Sequence, residues 1–219
     1  VHCCHKAGVN PLADGAFLSA FRRVGEEYPY ISQKDLGVDS LSLGLPMHPE
    51  RYDVLLLQNL YGDIISDVAA EISGSVGLAG SENIGDQGAM FEAVHGSAPD
   101  IAGQDLANPS GLLLSAIKML VHIGQVDVAN RIQNAWLRTI EDGIHTVDLY
   151  DEKLSTQKVG TRAFAAAVIE RLGQEVALVV RQPEMLRRLQ EMGADPIGNT
   201  PAQAAAAYRA YLPVAIALT

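Results

Sequence analysis

Apolar residues along the chain form short runs, and these alternate with longer stretches in which apolar residues recur every three or four positions. The short runs lie at residues 1–5, 52–58 and 89–94 and have the length of β-strands. The run at 52–58 is apolar at most positions, which is typical of a strand buried on both faces of a sheet. Between the last two runs, glycines at 74, 77, 80 and 85 predict a loop.

The longer stretches predict helices. Asp14 precedes apolar residues at helical spacing that continue to Val24, and Pro29 lies beyond their end. A second helix is expected from Asp63 to about Ser73.

Asn108 and Pro109 are a capping residue and a proline suited to the first helical position. They open a helix over residues 112–123 that Gly124 ends, and its apolar character all round predicts burial. Two further helices are predicted at Val126–Glu141 and from Thr161 onward.

Strands that alternate with helices of about 10 to 15 residues predict an α/β fold with a sheet of largely parallel strands. After Leu172 the strand signals stop, and an alanine run at 204–207 indicates helix. We therefore expect one domain at residues 1–180 and a separate helical tail at 181–219, to which the sequence assigns no role.

Composition excludes several kinds of partner. Sixteen Lys and Arg against 26 Asp and Glu give the 219-residue chain a net charge of −10, which repels nucleic acid and anionic lipid. No apolar run reaches the roughly 18 residues of a membrane span. We therefore expect a small-molecule ligand, no nucleic acid and no membrane.

The two cysteines, Cys3 and Cys4, are adjacent and form no disulfide framework, which favours a reducing compartment and, by default, the cytoplasm. The start at Val1 shows neither an initiator Met nor a signal pattern and lies directly on a predicted strand. We therefore expect that an N-terminal part is missing.

Asp63 and Asp67 stand four residues apart on a predicted helix, where both carboxylates can bind one hard cation. The alternative is that Asp63 caps the helix and Asp67 is a solvated surface residue. Asp39 follows an apolar stretch and is a third acidic candidate. Three carboxylates suit Mg²⁺ or Mn²⁺, whose coordination a hydroxy-acid substrate would complete.

Lys6 follows the first strand, where a lysine can carry protons if burial lowers its pKa; an ordinary surface lysine is the alternative. His2, Cys3, Cys4 and His5 have the residue types of a zinc site. Alternate side chains of a strand face opposite ways, however, so four adjacent residues cannot surround one ion. We expect the cysteines to pack as small buried apolar groups.

The segment HGSAPDIAG at residues 95–103 has small residues that let backbone amides approach a nucleotide closely, although a plain surface loop is equally compatible with the spacing. It has neither G-x-G-x-x-G nor the P-loop pattern, so the cofactor is held differently from the Rossmann scheme. Asp100 would accept hydrogen bonds from a ribose diol and repel a 2′-phosphate, which favours NAD over NADP.

Lys6, Asp39, NLYGDIISD and FEAVHGSAPDIAGQDLANPSGLLLSA together resemble the C-terminal half of the isocitrate and isopropylmalate dehydrogenases, which are β-decarboxylating 2-hydroxyacid dehydrogenases. The resemblance runs from about His2 to Gly173. It implies the three-layer isopropylmalate dehydrogenase-like α/β sheet with helices on both faces, here partial and followed by the helical tail.

The resemblance also implies a reaction. A 2-hydroxyacid bound to Mg²⁺ or Mn²⁺ loses hydride from its hydroxyl-bearing carbon to the nicotinamide and CO2 from its β-carboxyl group, and the resulting enol is reprotonated. Lys6 falls on the catalytic lysine of the family and Asp39, Asp63 and Asp67 on its metal ligands. The positions that fall on its cofactor site are Glu92, His95, Gly96, Ser97, Ala98, Pro99, Asp100, Ile101 and Asn108.

In this family two subunits share each site, so a homodimer is implied in which Lys6 and Asp39 meet Asp63 and Asp67 of a second copy. Asp100 and Ile101 are similar to the NAD-using members, since NADP users place a basic and an aromatic residue there. Val147 and Asp151 likewise lack the groups that bind a 2′-phosphate. The resemblance therefore also favours NAD.

NIGDQGAMFEAVHG, DGIHTVDLY and STQKVGT are most similar to the isocitrate branch, in particular its longer bacterial form, so we expect isocitrate as substrate. The alternatives are an isopropylmalate or tartrate dehydrogenase and a catalytically silent fragment or regulatory-type subunit. Gly8 replaces an asparagine that usually touches the substrate or cofactor. The N-terminal half, with its substrate-binding arginines and catalytic tyrosine, is absent, so turnover by this chain alone stays open.

Overall fold

The computed structural model describes residues 1–191 together with Gln203 and Ala206. The chain divides into two compact units, Val1–Val76 and a second that begins at Gly77. Helices and small sheets make up the described part of both units. The α/β class predicted from the sequence is therefore confirmed.

The first unit is built on a three-stranded parallel sheet. Its strand order is β2, β1, β3, with His2 opposite Lys34 on one side and Leu55 on the other. Helices follow each strand, as expected for parallel strands that need a crossover. In chain order the elements are β1 at His2–His5, α1 at Ala13–Gly25, β2 at Lys34–Gly37, α2 at Val38–Met47, a 3-10 turn at Pro49–Arg51, β3 at Leu55–Leu56 and α3 at Asn59–Ile72.

The core of this unit lies between the sheet and helices α2 and α3. Cys4 of the central strand packs with Leu41 and Leu45 of α2 and Ile65 of α3, all of them buried. The small thiol at this position lets both helices approach the central strand. Burial of apolar area of this kind stabilises a domain by roughly 25 cal/mol per Å².

The strand predicted at 52–58 is shorter than expected. Only Leu55 and Leu56 pair with β1, and the side chain of Leu56 is 38% exposed. In this unit β3 pairs with β1 alone. Because Leu56 is exposed and Leu55 is only partly buried, the predicted burial on both faces is wrong. The ring of Tyr52 instead packs edge-on against His2 at a centroid distance of 5.3 Å.

Helix α3 begins earlier than predicted. Its first residue is Asn59, and the backbone N–H of Gly62 already donates to the Gln58 carbonyl at 2.8 Å. Asp63 therefore lies in the second turn of the helix. The alternative in which Asp63 caps the helix is wrong.

The second unit combines an antiparallel hairpin with a group of helices. Strands β4 and β5 pair from Gly80 opposite Ala93 to Ile84 opposite Ala89, and both contact α4. Two short parallel strands, β6 and β7, pair Ile144 with Gln157. The elements are β4 at Gly80–Ile84, β5 at Ala89–Ala93, α4 at Ser110–His122, α5 at Val126–Glu141, β6 at Ile144–His145, β7 at Gln157–Lys158, α6 at Thr161–Val180 and α7 at Pro183–Glu191.

Strand β4 occupies a segment predicted as a loop. The glycine at its start is required by packing, because a Cβ on Gly80 would lie 2.9 Å from the backbone nitrogen of Ser115 in α4. The Ser115 hydroxyl accepts the N–H of Ser81 in β4 and donates to the Glu92 carbonyl in β5. Gly80 therefore marks a close approach of strand and helix, which the loop prediction missed.

Helices α4, α5 and α6 form the second core. Phe164 and Val168 of α6 are buried against Ala135 of α5. Helix α4 begins at Ser110, with Pro109 at the N-cap, so the predicted start at 112 with Asn108 as the cap and the proline in the first helical position is wrong. Asn108 lies one residue before the cap, and its side-chain oxygen accepts the N–H of Ser110 at 3.0 Å. Burial of α4 all round is wrong, because Leu112 is 62% exposed.

The first part of the predicted tail is helical, since α7 covers Pro183–Glu191. The alanine run at 204–207 lies outside the described residues, apart from Ala206. Among the helices of the described part, none combines the length and apolarity needed to cross a bilayer.

We predict that Phe164→Ala destabilises the protein by about 3 to 5 kcal/mol, because it opens a cavity at a fully buried position. The measurement is the midpoint of urea unfolding followed by circular dichroism. The matched control is Ile169→Ala on the same helix, where the side chain is 55% exposed and the midpoint should hardly move. Equal shifts in the two variants would contradict the assignment of this core.

Candidate functional site

Lys6 and Asp39 meet at the carboxyl ends of two neighbouring parallel strands. Lys6 directly follows β1, and Asp39 lies in the first turn of α2, two residues after the end of β2. The Lys6 Nζ lies 2.7 Å from Asp39 Oδ1, and both side chains remain open to solvent. The hydrogen bond from Lys6 holds the pKa of the Asp39 carboxyl below its usual value. Two residues predicted for the site are therefore in contact.

Asp14 lies beneath this pair and is 1% exposed. Its Oδ2 accepts the backbone N–H of Lys6 at 2.6 Å, and its Oδ1 accepts the side-chain N–H of Asn10 at 3.1 Å. Burial and the negative charge of Asp14 raise the pKa of Tyr61 in α3. A single buried carboxylate thus connects the segment after β1 to the start of α1.

Asp63 and Asp67 occupy successive turns of α3, and both side chains are exposed. Within residues 1–191, neither carboxylate takes part in a hydrogen bond or ion pair. The same part of the chain contains no group of three or more His, Cys, Asp or Glu side chains placed to hold a metal ion. A single copy of the chain therefore does not gather Asp39, Asp63 and Asp67 around one point.

The segment at 95–101 is an exposed loop in the second unit. Ala98 adopts a left-handed backbone with φ of +40°, and the Gln104 side chain donates to the Asp100 carbonyl at 2.6 Å. His95 donates from its ring Nδ1 to the Gly96 carbonyl at 2.9 Å. The carbonyls of Gly96 and Asp100 thus accept hydrogen bonds from nearby side chains, and residues 95–100 are exposed to solvent.

Asp105 fixes the end of this loop to the start of α6. Its Oδ1 accepts the N–H of Arg162 at 3.0 Å and its carbonyl accepts the N–H of Thr161 at 3.1 Å. The Thr161 hydroxyl donates to the Ala107 carbonyl. Gly160 has no Cβ that would overlap Asp105. The loop therefore supplies the N-terminal cap of a helix more than 50 residues later in the chain.

The side chains of two other predicted cofactor residues form hydrogen bonds within the protein. The Asn108 side chain is buried; its amide donates to Asp148 Oδ2 at 3.0 Å and its oxygen accepts from Ser110. Glu92 lies on β5 and accepts from the Asn83 amide at 3.3 Å. Asn108 thus bonds to the first residue of α4. Glu92 is exposed at the surface of the hairpin.

The prediction for the cysteines is confirmed. Cys3 and Cys4 are fully buried free thiols in the central strand. Burial raises the pKa of Cys4 to about 11, so its thiol is protonated at neutral pH. His5 has a different local role, since its Nδ1 accepts the N–H of Ala7 at 3.1 Å.

In the first unit, sequence reasoning missed two residues. The sequence identifies Asp14 only as the start of a helix, and Tyr61 only as part of a motif. An acidic residue at a helix start directly after a strand and loop is a signal that could have identified Asp14. In the second unit it missed Lys158, whose Nζ lies 5.1 Å from the centre of the Tyr150 ring. That contact depends on the pairing of two-residue strands, which leaves no pattern in the sequence.

A family model described as isocitrate/isopropylmalate dehydrogenase matches residues 1–168. The isocitrate dehydrogenase (NADP) of Rickettsia bellii is 59% identical over 175 residues, which are 80% of this chain and 36% of that protein. A mitochondrial isocitrate dehydrogenase (NAD) regulatory subunit of Dictyostelium discoideum is 47% identical over 151 residues, 68% of this chain and 43% of that protein.

Among solved structures, the isocitrate dehydrogenase from Methylococcus capsulatus has a TM-score of 0.74 and 45% identity, over 78% of this chain and 50% of that one. The chain thus spans about a third to a half of the length of these proteins.

The prediction of NAD from Asp100, Ile101, Val147 and Asp151 is wrong, because the more similar of these two relatives is named for NADP. Asp100 is exposed, and charges about 4 Å apart in water interact by only about 1 kcal/mol, so one carboxylate does not decide the coenzyme. Lys158 also lies against Tyr150, beside the segment predicted to lack a basic group.

We predict that Cys3 and Cys4 of the folded protein react with iodoacetamide at pH 8 more than about 100-fold slower than an exposed cysteine, because burial blocks access and suppresses the thiolate. Mass spectrometry of the alkylated protein measures the rate. The same reaction in denaturant should modify both thiols rapidly. Fast alkylation of the native protein would contradict the buried position of β1.

Proposed function

Because the chain belongs to the isocitrate/isopropylmalate dehydrogenase family, we propose that it forms part of an NADP-dependent isocitrate dehydrogenase, which oxidises and decarboxylates isocitrate to 2-oxoglutarate. The observation that carries this proposal is the 59% identity to the NADP enzyme of Rickettsia bellii over 80% of the chain. The chain spans 36% of that relative, so the proposal concerns the part of the enzyme that these residues form.

In this proposal residues 1–180 are the dehydrogenase part, in agreement with the family match at 1–168. Residues 181–219 lie outside it and carry no assigned role. Lys6 is the catalytic lysine. Its Nζ, 2.7 Å from Asp39 and open to solvent, is placed to exchange a proton with a bound ligand at the carboxyl edge of the sheet.

Asp39, Asp63 and Asp67 are proposed as the ligands of Mg²⁺ or Mn²⁺. Their chemistry fits this role, since all three are exposed carboxylates and hard divalent cations prefer oxygen. When bound, the ion supplies Lewis acidity at the oxygens of the hydroxyacid. In the absence of a cation, the Lys6 ammonium neutralises Asp39, and this contact must loosen when a metal binds.

The coenzyme is assigned to the second unit. The exposed loop at 95–101, with Glu92 and Asn108 at its two sides, offers backbone amides and small side chains to a nucleotide. Lys158, at the end of β7, supports NADP because its ammonium group can attract a 2′-phosphate. Thr161, three residues after Lys158, bonds directly to Asp105 and Ala107 at the end of the loop.

We propose that two copies of the chain complete each site. Within one copy the metal ligands are not gathered, as far as residues 1–191 extend. Helices α2 and α3, which pack together in the first unit, expose large apolar side chains that a second copy could cover. These are Leu43 (77% exposed), Met47 (71%), Leu60 (67%) and Ile64 (56%).

A regulatory role is the second candidate function, favoured by the 47% identity to the Dictyostelium discoideum regulatory subunit. The pairing of Lys6 with Asp39 and the presence of Asp63 and Asp67 support the catalytic assignment instead. The two differ in turnover, because a purely regulatory protein would by itself produce no NADPH.

We predict that the full-length gene product forms NADPH from isocitrate and NADP in the presence of Mn²⁺, and that it uses NAD with at least about tenfold lower kcat/KM. The rate of absorbance increase at 340 nm measures both activities. Isopropylmalate and tartrate serve as control substrates and should give no signal. Absence of turnover with every acid would favour the regulatory assignment.

We predict that Asp63→Asn weakens Mn²⁺ binding more than about tenfold and leaves the melting temperature unchanged, because it removes a ligand charge from an exposed position and no core volume. Titration calorimetry with the full-length gene product measures the affinity. The matched control is Glu71→Gln, an exposed acid two turns further along α3. An unchanged affinity in Asp63→Asn would refute the assignment of this ligand.

A further inference from the structure

Asp14 is a buried acidic residue to which the proposed reaction gives no role. It lies in the first turn of α1 and is 1% exposed, a rare environment for a carboxylate that forms no salt bridge within residues 1–191. A charge buried in this way is costly unless hydrogen bonds compensate it. The hydrogen bonds that Asp14 accepts therefore indicate which part of the structure the buried carboxylate holds in place.

Both carboxylate oxygens of Asp14 hold the segment that carries Lys6. Oδ2 accepts the backbone N–H of Lys6 at 2.6 Å, and Oδ1 accepts the side-chain amide of Asn10 at 3.1 Å. The backbone of Asp14 donates in return to the Asn10 carbonyl at 3.1 Å, and the backbone of Asn10 donates to the Lys6 carbonyl at 2.9 Å. Lys6, Asn10 and Asp14 thus form a closed set of four hydrogen bonds.

Tyr61 brings the helix of the proposed metal ligands close to this set. It lies in the first turn of α3, two residues before Asp63, and burial together with the negative charge of Asp14 raises the pKa of its phenol. Charge-assisted hydrogen bonds such as those that Asp14 accepts are about twice as strong as neutral ones.

We infer that Asp14 is a positioning residue for proton transfer by Lys6: it fixes the backbone from which the Lys6 ammonium reaches Asp39. This inference rests on the proposed function for its catalytic consequence. Asp14 touches neither substrate nor metal itself. Its effect should therefore appear in the rate of the chemical step and not in the affinity for substrate.

The test compares Asp14→Asn and Asp14→Glu with Asp35→Asn in the full-length gene product. Asp35 is the matched control, since it is a carboxylate of the same unit that pairs with Arg22 at 3.1 Å. We expect Asp14→Asn to lower kcat about 100-fold with KM for isocitrate changed less than threefold, because a misplacement of about 1 Å has an effect of this size. Asp14→Glu, which restores the acceptors, should recover about tenfold of the loss, and Asp35→Asn should retain the wild-type kcat.

Amide hydrogen exchange of residues 6–10, followed by mass spectrometry, gives a readout that does not depend on activity. Exchange in this segment should be at least tenfold faster in Asp14→Asn than in wild type and unchanged in Asp35→Asn, at equal melting temperatures. If Asp14→Asn unfolds, Asp14→Glu takes its place in the comparison, with a smaller acceleration expected.

Three results would each overturn the inference. The first is an unchanged kcat in Asp14→Asn, the second is a loss of kcat that Asp35→Asn shares, and the third is an unchanged rate of amide exchange at residues 6–10. If wild type itself fails to oxidise isocitrate with NADP, the proposed function is wrong. The exchange rates then still decide whether Asp14 holds the Lys6 segment.

Discussion

Parallel pairing of β1 with β2 is the constraint on which the first unit depends. The register sets His5 opposite Gly37, so the chain leaves both strands at the same edge of the sheet. Lys6 is the next residue after one strand and Asp39 the second after the other, which places their charged atoms 2.7 Å apart. Because parallel strands present their carboxyl ends at the same edge of a sheet, the pairing of the strands brings Lys6 and Asp39, which are distant in sequence, into contact.

The electrostatics of this edge agree with a ligand that carries its own cation. The chain has a net charge of −10, and the first unit contains Asp39, Asp63 and Asp67, of which only Asp39 contacts Lys6. Under the proposed function, a tricarboxylic acid would be repelled by this acidic chain in the absence of a counterion. A divalent ion bound between carboxylates and substrate removes that repulsion, which makes the acidic character of the chain compatible with an anionic substrate.

Much of the fold and part of the site could be predicted from the sequence. The α/β class and the buried cysteines follow from periodicity and local chemistry, and both were confirmed. The pairing of β3 with β1 alone in the first unit and the strand at Gly80 could not be predicted, because both depend on which elements become neighbours. The coenzyme was predicted wrongly from Asp100, Ile101, Val147 and Asp151, because the choice between NAD and NADP depends on all the side chains around the bound nucleotide, which residue types read one at a time do not fix.

The anchoring of the loop after β5 to α6 has a consequence for substitutions at both ends of the contact. Asp105 has a left-handed backbone with φ of +59° and bonds to both Thr161 and Arg162, while Gly160 leaves room for it. A new side chain at residue 160 would displace Asp105, and a replacement of Asp105 would leave the helix start unsatisfied. A substitution at residue 105 or at 160–162 is therefore expected to destabilise the start of α6 unless the other positions accommodate it.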